Sequence, residues 1–390
     1  MTDVVSLGGR PAFHARFVHT ADLQIGMTRG GFLDADAEAR FEAARVAAVR
    51  RIGELASRES CAFIVMAGDI FEFNSVSDRT FGRAVEAFRQ LPVDCYLLPG
   101  NHDALTADSI LRRLVAQEGM ERLHLLEDSQ PVEVAEGVEL VAAPLRARTA
   151  TSDLVGQATA GLSPVRTIRV VVGHGQPQDY GEHRVDQIAI EPLEERLRSG
   201  AIDYVALGDT HSAQPVGKTG CVWFSGAPEV TQFSEPGGGG EFNSGKALVV
   251  DITKAEGSAE VAVAEHQVGQ WRFQAVHSDL AGDEDVDGFL DSLRELDDKE
   301  RTVVKYSLSG TISLTARQRL EHGLDQLQPV FAALYERHRV MDLATSPSED
   351  ELADLGLSGF AQSALEELID AGEQDATNLL FRLARNVEAK

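Results

Sequence analysis

The sequence predicts an α/β fold in a larger first domain, with a smaller domain of strands and helices after it. Three observations carry this. Short β-branched apolar runs alternate with segments of helical periodicity over the first two-thirds of the 390 residues. Several of those runs end in glycine followed by an acid, an amide or a histidine, the residue types that gather outside the carboxyl ends of strands in open α/β sheets. From Trp271 the pattern restarts as strand, helix, strand, helix, strand. The expected domains are therefore 14–270, 271–345 and a helical region at 346–390.

In chain order, strands are expected at Ala15–His19, Ala62–Met66, Cys95–Leu98, Val138–Ala142, Ile168–Val172 and Tyr204–Leu207. Between the first two, Asp36–Ser57 places Phe41, Ala44, Val46, Val49, Ile52 and Leu55 at helical spacing. Shorter helices are expected at Ser77–Leu91, Ser109–Glu118 and Pro192–Arg198. After Ser212 hairpin strands follow at Gln214–Val216, Val222–Ser225, Ala247–Asp251 and Val261–Val268. The glycine-rich stretch 236–246, PGGGGEFNSGK, reads as a mobile loop. The second domain is expected as strand Arg272–His277, helix Asp287–Leu296, strand Thr302–Leu308, long helix Thr315–Arg337 and strand Val340–Ala344. An acidic linker, SPSEDE, leads to a helical pair at Gly359–Ala371 and Asp375–Val387.

Composition narrows the class. An apolar content of 43% and a charged content of 25% suit a globular protein. No run approaches the ~18 apolar residues of a membrane helix, and the start lacks the pattern of a signal peptide. Cys61, Cys95 and Cys221 are odd in number and far apart, as expected of reduced thiols in a cytoplasmic protein. A net charge of −26 argues against broad coating of nucleic acid, whose phosphates are held by Lys and Arg.

The chemistry collects at the strand ends. FVHTADLQIG supplies Asp22 and Gln24, and IVMAGDIFEFN supplies Asp69. LPGNHDAL supplies Asn101, His102 and Asp103; VVVGHGQ supplies His174; VALGDTHS supplies Asp209 and His211. Any one Gly-Asp or Gly-His is ordinarily a turn. Five in this order, each behind an apolar run, are a site. Carboxylate and amide oxygens suit hard cations and imidazole suits borderline ones. A set with both fits a two-metal hydrolase, its ions ~3.5–4 Å apart.

The order Asp-x, Gly-Asp, Gly-Asn-His-Asp, Gly-His, Gly-Asp-x-His resembles the signature of calcineurin-like metallophosphoesterases. HTADLQIG, GDIFEFN, LPGNHD, LGDTHSAQ and SGAPEVTQFSE look like the SbcD-type DNA-repair exonucleases, partners of the SbcC coiled-coil ATPase. The resemblance covers Phe17–Asp251 and runs more loosely into the C-terminal region, which looks like the nuclease capping domain. It implies a β-sandwich flanked by helices (αββα). It implies one metal held by Asp22, Gln24, Asp69 and His211, and a second by Asp69, Asn101, His174 and Asp209. It implies that His102 faces the scissile phosphate and that Asp103 orients His102. His19 reads as a core histidine or as support for a ligand.

Three residues depart from the family pattern. Gln24 and Asp209 each stand where the family has a histidine, which hardens the donor set and favours Mn²⁺ or Mg²⁺ over Zn²⁺. Glu72 stands where the SbcD type has a histidine linked to exonuclease action. The expectation is thus a metal-dependent phosphodiesterase acting on DNA, with an SbcC-like SMC-type ATPase partner, no membrane association and room for a homodimer. Its rivals are a phosphatase or cyclic-nucleotide phosphodiesterase, and a scaffold that no longer holds two metals. The apolar stripes of the last helical pair, Phe360 to Ile369 and Leu379 to Val387, either pack on the capping domain or dock the ATPase.

Overall fold

The computed structural model describes residues 6–7, 10–11, 13–178, 185–346, 359–373, 376–377 and 379–380. His183, most of the linker SPSEDE and most of the expected helix Asp375–Val387 lie outside them. The chain divides into two units, one formed from 1–31, 38–232 and 240–271, the other from 32–37, 233–239 and 272–390.

Besides a short pair, β1 (Ser6–Leu7) and β2 (Arg10–Pro11), the first unit holds two six-stranded sheets. From edge to edge, the first is β14 (Ser258–Gln267), β13 (Lys246–Ala255), β3 (Phe13–Thr20), β4 (Phe63–Ala67), β5 (Asp94–Leu98) and β6 (Leu123–Leu125). The second is β11 (Gln214–Val216), β12 (Val222–Phe224), β10 (Tyr204–Gly208), β9 (Ile168–His174), β8 (Val138–Ala142) and β7 (Val132–Ala135). The helices are α1 (Ala35–Arg58), α2 (Asp78–Phe88), α3 (Ile110–Val115), α4 (Leu154–Thr159) and α5 (Ile190–Ser199).

Alternation along the strands decides the layers. Val18, Ile64, Met66 and Leu97 pack with Ile52, Phe88 and Leu111 of α1, α2 and α3. Their sequence neighbours Phe17, Phe63, Val65 and Tyr96 pack with Leu140, Val170, Val172 and Tyr204 of the other sheet. Val171, Val205 and Leu207 in turn meet Val155 of α4 and Leu193 of α5. The order is helix, sheet, sheet, helix. Strands β4, β9 and β10 are buried on both faces, which is why they read as continuous apolar runs. The long hairpin β13–β14 turns at Glu256 and Gly257, both at positive φ (54° and 87°), as a two-residue I′ turn requires.

In the second unit β15 (Arg272–Leu280), β16 (Thr302–Ile312), β17 (Ala333–Glu336) and β18 (Asp342–Thr345) form a parallel sheet centred on β16. Helices α6 (Asp283–Arg294) and α7 (Leu314–Leu327) pack on it through Phe289, Leu290 and Leu320. The expected helix Thr315–Arg337 is shorter. It ends at Leu327 and gives way to a 3₁₀ turn and to β17, because Pro329 disfavours helix at the residue before it. The apolar run Phe331–Tyr335 then joins the sheet. In the helix Phe360–Asp370, Leu365 packs on Leu314 while Phe360 is exposed. Strands β6 and β7 and helix α4 were not expected; at three to six residues they are too short to show a period. Among the described residues no helix is long and apolar enough to cross a membrane.

One ion pair ties the two sheets of the first unit together. Lys254 Nζ on β13 lies 2.8 Å from Asp203 Oδ1, just before β10, and both side chains are fully buried. Asp203 also accepts the Arg169 N–H at 2.8 Å. Burial raises the Asp203 carboxyl, opposed by the hydrogen bond from Lys254. Removing one partner of such a pair strands the other charge, at a cost of about 3–5 kcal/mol. Lys254→Met should therefore lower the denaturation free energy by that amount, and Lys254→Met with Asp203→Leu should recover part of it. Urea titration of the three proteins is the check; a single variant as stable as wild type contradicts this role.

Candidate metal centre

The five motif strands bring their carboxyl ends to one edge. β3, β4 and β5 are parallel neighbours in one sheet, and β9 and β10 are parallel neighbours in the other. The chain turns sharply just past these ends. Among the described residues seven non-glycine residues have positive φ, and four of them are Asp22 (55°), Gln24 (46°), Asp69 (52°) and Asp209 (95°). Such backbone costs on the order of 1–3 kcal/mol per residue and gathers at functional sites. Here the turns are cross-linked. Asp22 N donates to Gly68 O (3.0 Å) and Gln24 N to Asp69 O (2.9 Å), while Asp209 N donates to both oxygens of Asp22 (3.0 and 3.1 Å). Gly100 is required by close approach: a Cβ there would lie 2.0 Å from Asp69 Oδ1.

The side chains meet in two groups joined through Asp22, which senses both His174 and His211. Asp22, Asp69 and His174 are buried, and each brings one ligand atom to within 4.8 Å of the others. On one side, His174 Nε2 lies 2.8 Å from Asn101 Oδ1, 3.4 Å from Asp69 Oδ2 and 3.6 Å from Asp209 Oδ1. Its Nδ1 donates to the Ala67 carbonyl at 2.8 Å, so Nε2 is the atom turned to the cluster. On the other side, Gln24 Nε2 lies 3.3 Å from His211 Nε2. Gln24 Oε1 is buried with no hydrogen-bond partner, an orphaned acceptor that a cation would satisfy. All seven expected ligands, Asp22, Gln24, Asp69, Asn101, His174, Asp209 and His211, thus lie in these two connected groups, and their oxygen and imidazole donors suit divalent ions.

His102 and Asp103 divide differently from expectation. Asp103 does not orient His102. Its Oδ2 accepts from the N–H groups of Ile70 (2.8 Å) and Phe71 (3.1 Å), and its Oδ1 accepts from Gly100 N (2.8 Å). Buried between two loops with three donors aimed at it, the carboxylate ties the Asp69 turn to the Asn101 turn. His102 is held instead by Glu72, whose carbonyl accepts from Nδ1 at 2.9 Å and whose Oε1 lies 3.8 Å away. His102 Nε2 then lies on the Asp69 side, 3.9 Å from Oδ2. His19 is a core residue, with ring nitrogens bonded to Tyr204 Oη and the Leu207 carbonyl. Burial pushes its pKa down to about 3.

The electrostatics describe a cluster that attracts positive charge. Burial, reinforced by Asp69 and Asp209, raises Asp22 to about 7. Burial alone would lower His174, yet the carboxylates of Asp69, Asp209 and Asp22 raise it well above the ordinary value. A proton on that ring occupies the place where a cation would be favoured, so cation and proton compete there.

Three supporting residues were assigned no role from the sequence. Glu241, in the glycine-rich stretch expected to be mobile, is buried and accepts from His211 Nδ1 at 3.0 Å and from Thr231 N at 2.8 Å. Thr231 Oγ1 lies 2.6 Å from His211 Nδ1. A carboxylate behind the far nitrogen is the usual support of a metal-binding histidine. Burial raises the Glu241 carboxyl, and the hydrogen bond and charge of His211 with those of Thr231 outweigh it, leaving it below its ordinary value. Arg45, fully buried on α1, donates to the carbonyls of Leu23 (3.0 Å) and Val230 (2.7 Å). It clamps the turn between Asp22 and Gln24 to the segment that carries Thr231. Its signal was available: a cation four residues after Phe41 and four before Val49, on the apolar stripe of the helix.

Comparison with known proteins follows this geometry. The calcineurin-like phosphoesterase family matches residues 15–213. Among solved structures, TT1561 of Thermus thermophilus is similar at 10% identity and a TM-score of 0.36, covering 64% of this chain and 98% of its own. A dimetal phosphatase from Danio rerio is similar at 12% identity and a TM-score of 0.37, covering 63% and 98%. A purple acid phosphatase from yellow lupin (Lupinus luteus) seeds is similar at 10% identity and a TM-score of 0.34, covering 65% and 52%. No curated protein matches the chain. With over half of its length matched by the family, this chain belongs to the calcineurin-like phosphoesterases.

Proposed function

We propose that the protein is a metal-dependent phosphodiesterase of the SbcD-like nuclease type, cytoplasmic, acting on DNA beside an SbcC-like SMC-type ATPase. The family implies a metal-dependent hydrolase. The observation that best supports two-ion chemistry is the pair of side-chain groups, around His174 and around His211, that Asp22 joins, with strained turns at Asp22, Gln24, Asp69 and Asp209. The nuclease reading is supported by the motif neighbourhoods GDIFEFN, LPGNHD and SGAPEVTQFSE.

Two divalent ions held there supply Lewis-acid stabilisation of charge at a phosphodiester. The protein's own part is to hold and orient. Asp69 would serve both ions. Glu241 and Ala67 fix the outer nitrogens of His211 and His174, so that each ring presents Nε2. His102, with Nδ1 engaged by the Glu72 carbonyl, is left with Nε2 to hold or give a proton to the leaving oxygen. The net charge of −26 favours a second reading, hydrolysis of a small phosphodiester. A panel of single-stranded DNA, duplex ends, hairpins, cyclic nucleotides and bis(4-nitrophenyl) phosphate, each with Mn²⁺, separates the two. Turnover of cyclic nucleotides without turnover of DNA sinks the nuclease reading.

Asp69→Asn should abolish hydrolysis and lower bound metal, measured by elemental analysis after dialysis; full metal content with full activity would falsify the shared-ligand role.

His102→Ala should keep both metals and lose rate by ~10²–10⁴-fold, the usual span for a proton-transfer group. If bound metal falls together with rate, His102 is a ligand and not a proton donor.

Glu241→Gln removes the carboxylate behind His211 while keeping its size. Metal affinity should drop by about 10–100-fold, read by calorimetric titration with Mn²⁺, with the fold unchanged by circular dichroism. Unaltered affinity would mean that Thr231 alone suffices to set the ring.

A further inference from the structure

Next to the His174 side of the cluster lies a cleft of about 330 Å³, whose lining includes Asn101, His174 and Asp209 of the cluster together with Arg148, Asp186 and Gln187. Arg148 is the cleft's one arginine or lysine among the described residues. It forms no ion pair and donates no hydrogen bond among them, whereas its neighbour Arg146 donates to the Glu127 carbonyl at 2.7 Å. The loop that carries it is pinned at both ends. Leu145 accepts from Leu105 N at 2.9 Å, and the Asp153 carboxylate accepts from Gly156 N (2.7 Å) and Ala189 N (3.1 Å). A free guanidinium thus stands on an anchored loop, beside a strongly acidic cluster and in a protein of net charge −26. Its planar fork matches the oxygens of a phosphate.

We infer that Arg148 holds a second phosphate of the substrate, adjacent to the scissile one, so that the site selects substrates with phosphates in series over isolated diesters. This deepens the phosphodiesterase reading and rests on it. Asn101, His174 and Asp209 line the same cleft as Arg148, so a substrate held at the cluster has a neighbouring phosphate within the cleft's reach of Arg148. A nucleic-acid strand and a terminally phosphorylated dinucleotide share this chemistry.

The test compares the thymidine dinucleotide TpT with its 5′-phosphorylated and 3′-phosphorylated forms and with bis(4-nitrophenyl) phosphate. Each is offered with Mn²⁺ to wild type, Arg148→Ala and Arg148→Lys. In wild type one of the added phosphates should lower KM by about tenfold, as one charge-assisted hydrogen bond contributes. Arg148→Ala should erase that gain and Arg148→Lys keep part of it, while kcat on the single-phosphate substrates and metal content stay unchanged. Which terminal phosphate matters tells on which side of the scissile bond Arg148 acts. Calorimetric binding of the same dinucleotides reads the Arg148 effect apart from turnover, so a wild type that binds but does not hydrolyse overturns the phosphodiesterase reading alone. The inference is overturned if neither added phosphate improves binding or KM, if the gain survives Arg148→Ala, or if Arg148→Ala lowers kcat on every substrate alike.

Discussion

Asp22 and Asp69 are buried within reach of one another, with Asp209 half-buried beside them, and mutual repulsion among these carboxylates is the constraint on which the rest of the site depends. Charges that close in a poorly solvated place are tolerated only with compensation. The structure compensates in two ways: it aims N–H groups at the carboxylates, as Asp209 N does at Asp22 and His102 N at Asp69. It also leaves a hollow in which positive charge is favoured, as the raised His174 records. The positive-φ turns follow from the same demand. A strand that continued straight would carry each carboxylate past the others; a left-handed residue one to four positions past the strand end turns the chain inward.

The fold serves this convergence. Parallel strands place chemically similar ends on the same edge, and two sheets packed face to face bring two such edges together. Asp22, Asp69 and Asn101 come from one sheet, His174, Asp209 and His211 from the other. Their relative placement therefore depends on the contact between the sheets, through Phe17, Phe63 and Tyr204, whose rings pack together there, and through the Lys254–Asp203 pair. Arg45 extends the same function to the outside helix. A buried guanidinium needs acceptors, and the carbonyls of Leu23 and Val230 take its two terminal nitrogens, so Arg45 joins two loops of the site at once.

The α/β class and the gathering of the motif side chains at the strand ends were legible in the sequence because both depend on local signals, whereas the two-sheet layering and the ligand assignments came from the family resemblance. Residues 63–67 and 204–208 are short apolar runs bounded by glycine and acid, and the turn chemistry lies next to the strand that needs it. What was illegible depends on contacts distant in the chain. Glu241 is 30 residues from His211, inside a run of glycines whose composition signals freedom; one buried carboxylate overrides that composition. Asp103 follows His102 directly, and adjacency suggested a partnership. At a turn, however, consecutive side chains point apart, and Asp103 turns inward to the backbone of Gly100, Ile70 and Phe71 while His102 turns to Glu72. The helix expected over 315–337 overran because periodicity continued across Pro329, where backbone sterics and not pattern decide the end.

Gln24 and Asp209 give the site its own character. With imidazoles at both positions the cluster would offer four nitrogen donors; with an amide and a carboxylate it offers two, from His174 and His211, among five oxygen-bearing side chains. Neither substitution leaves its neighbourhood neutral. Gln24 sets its amide beside His211 Nε2 and leaves Oε1 without a partner, so it can offer an oxygen where the family has an imidazole. Asp209 adds a negative charge that His174 senses, and its other oxygen accepts a hydrogen bond from Gln176. A harder, more negative donor set suits hard divalent cations better than softer ones. It would also leave the bound ions less electron-poor, and so less able to stabilise an extra negative charge unaided. In such a site a cationic side chain beside the cluster gains importance for holding a polyanionic substrate. That is the position Arg148 occupies, free of any partner of its own among the described residues.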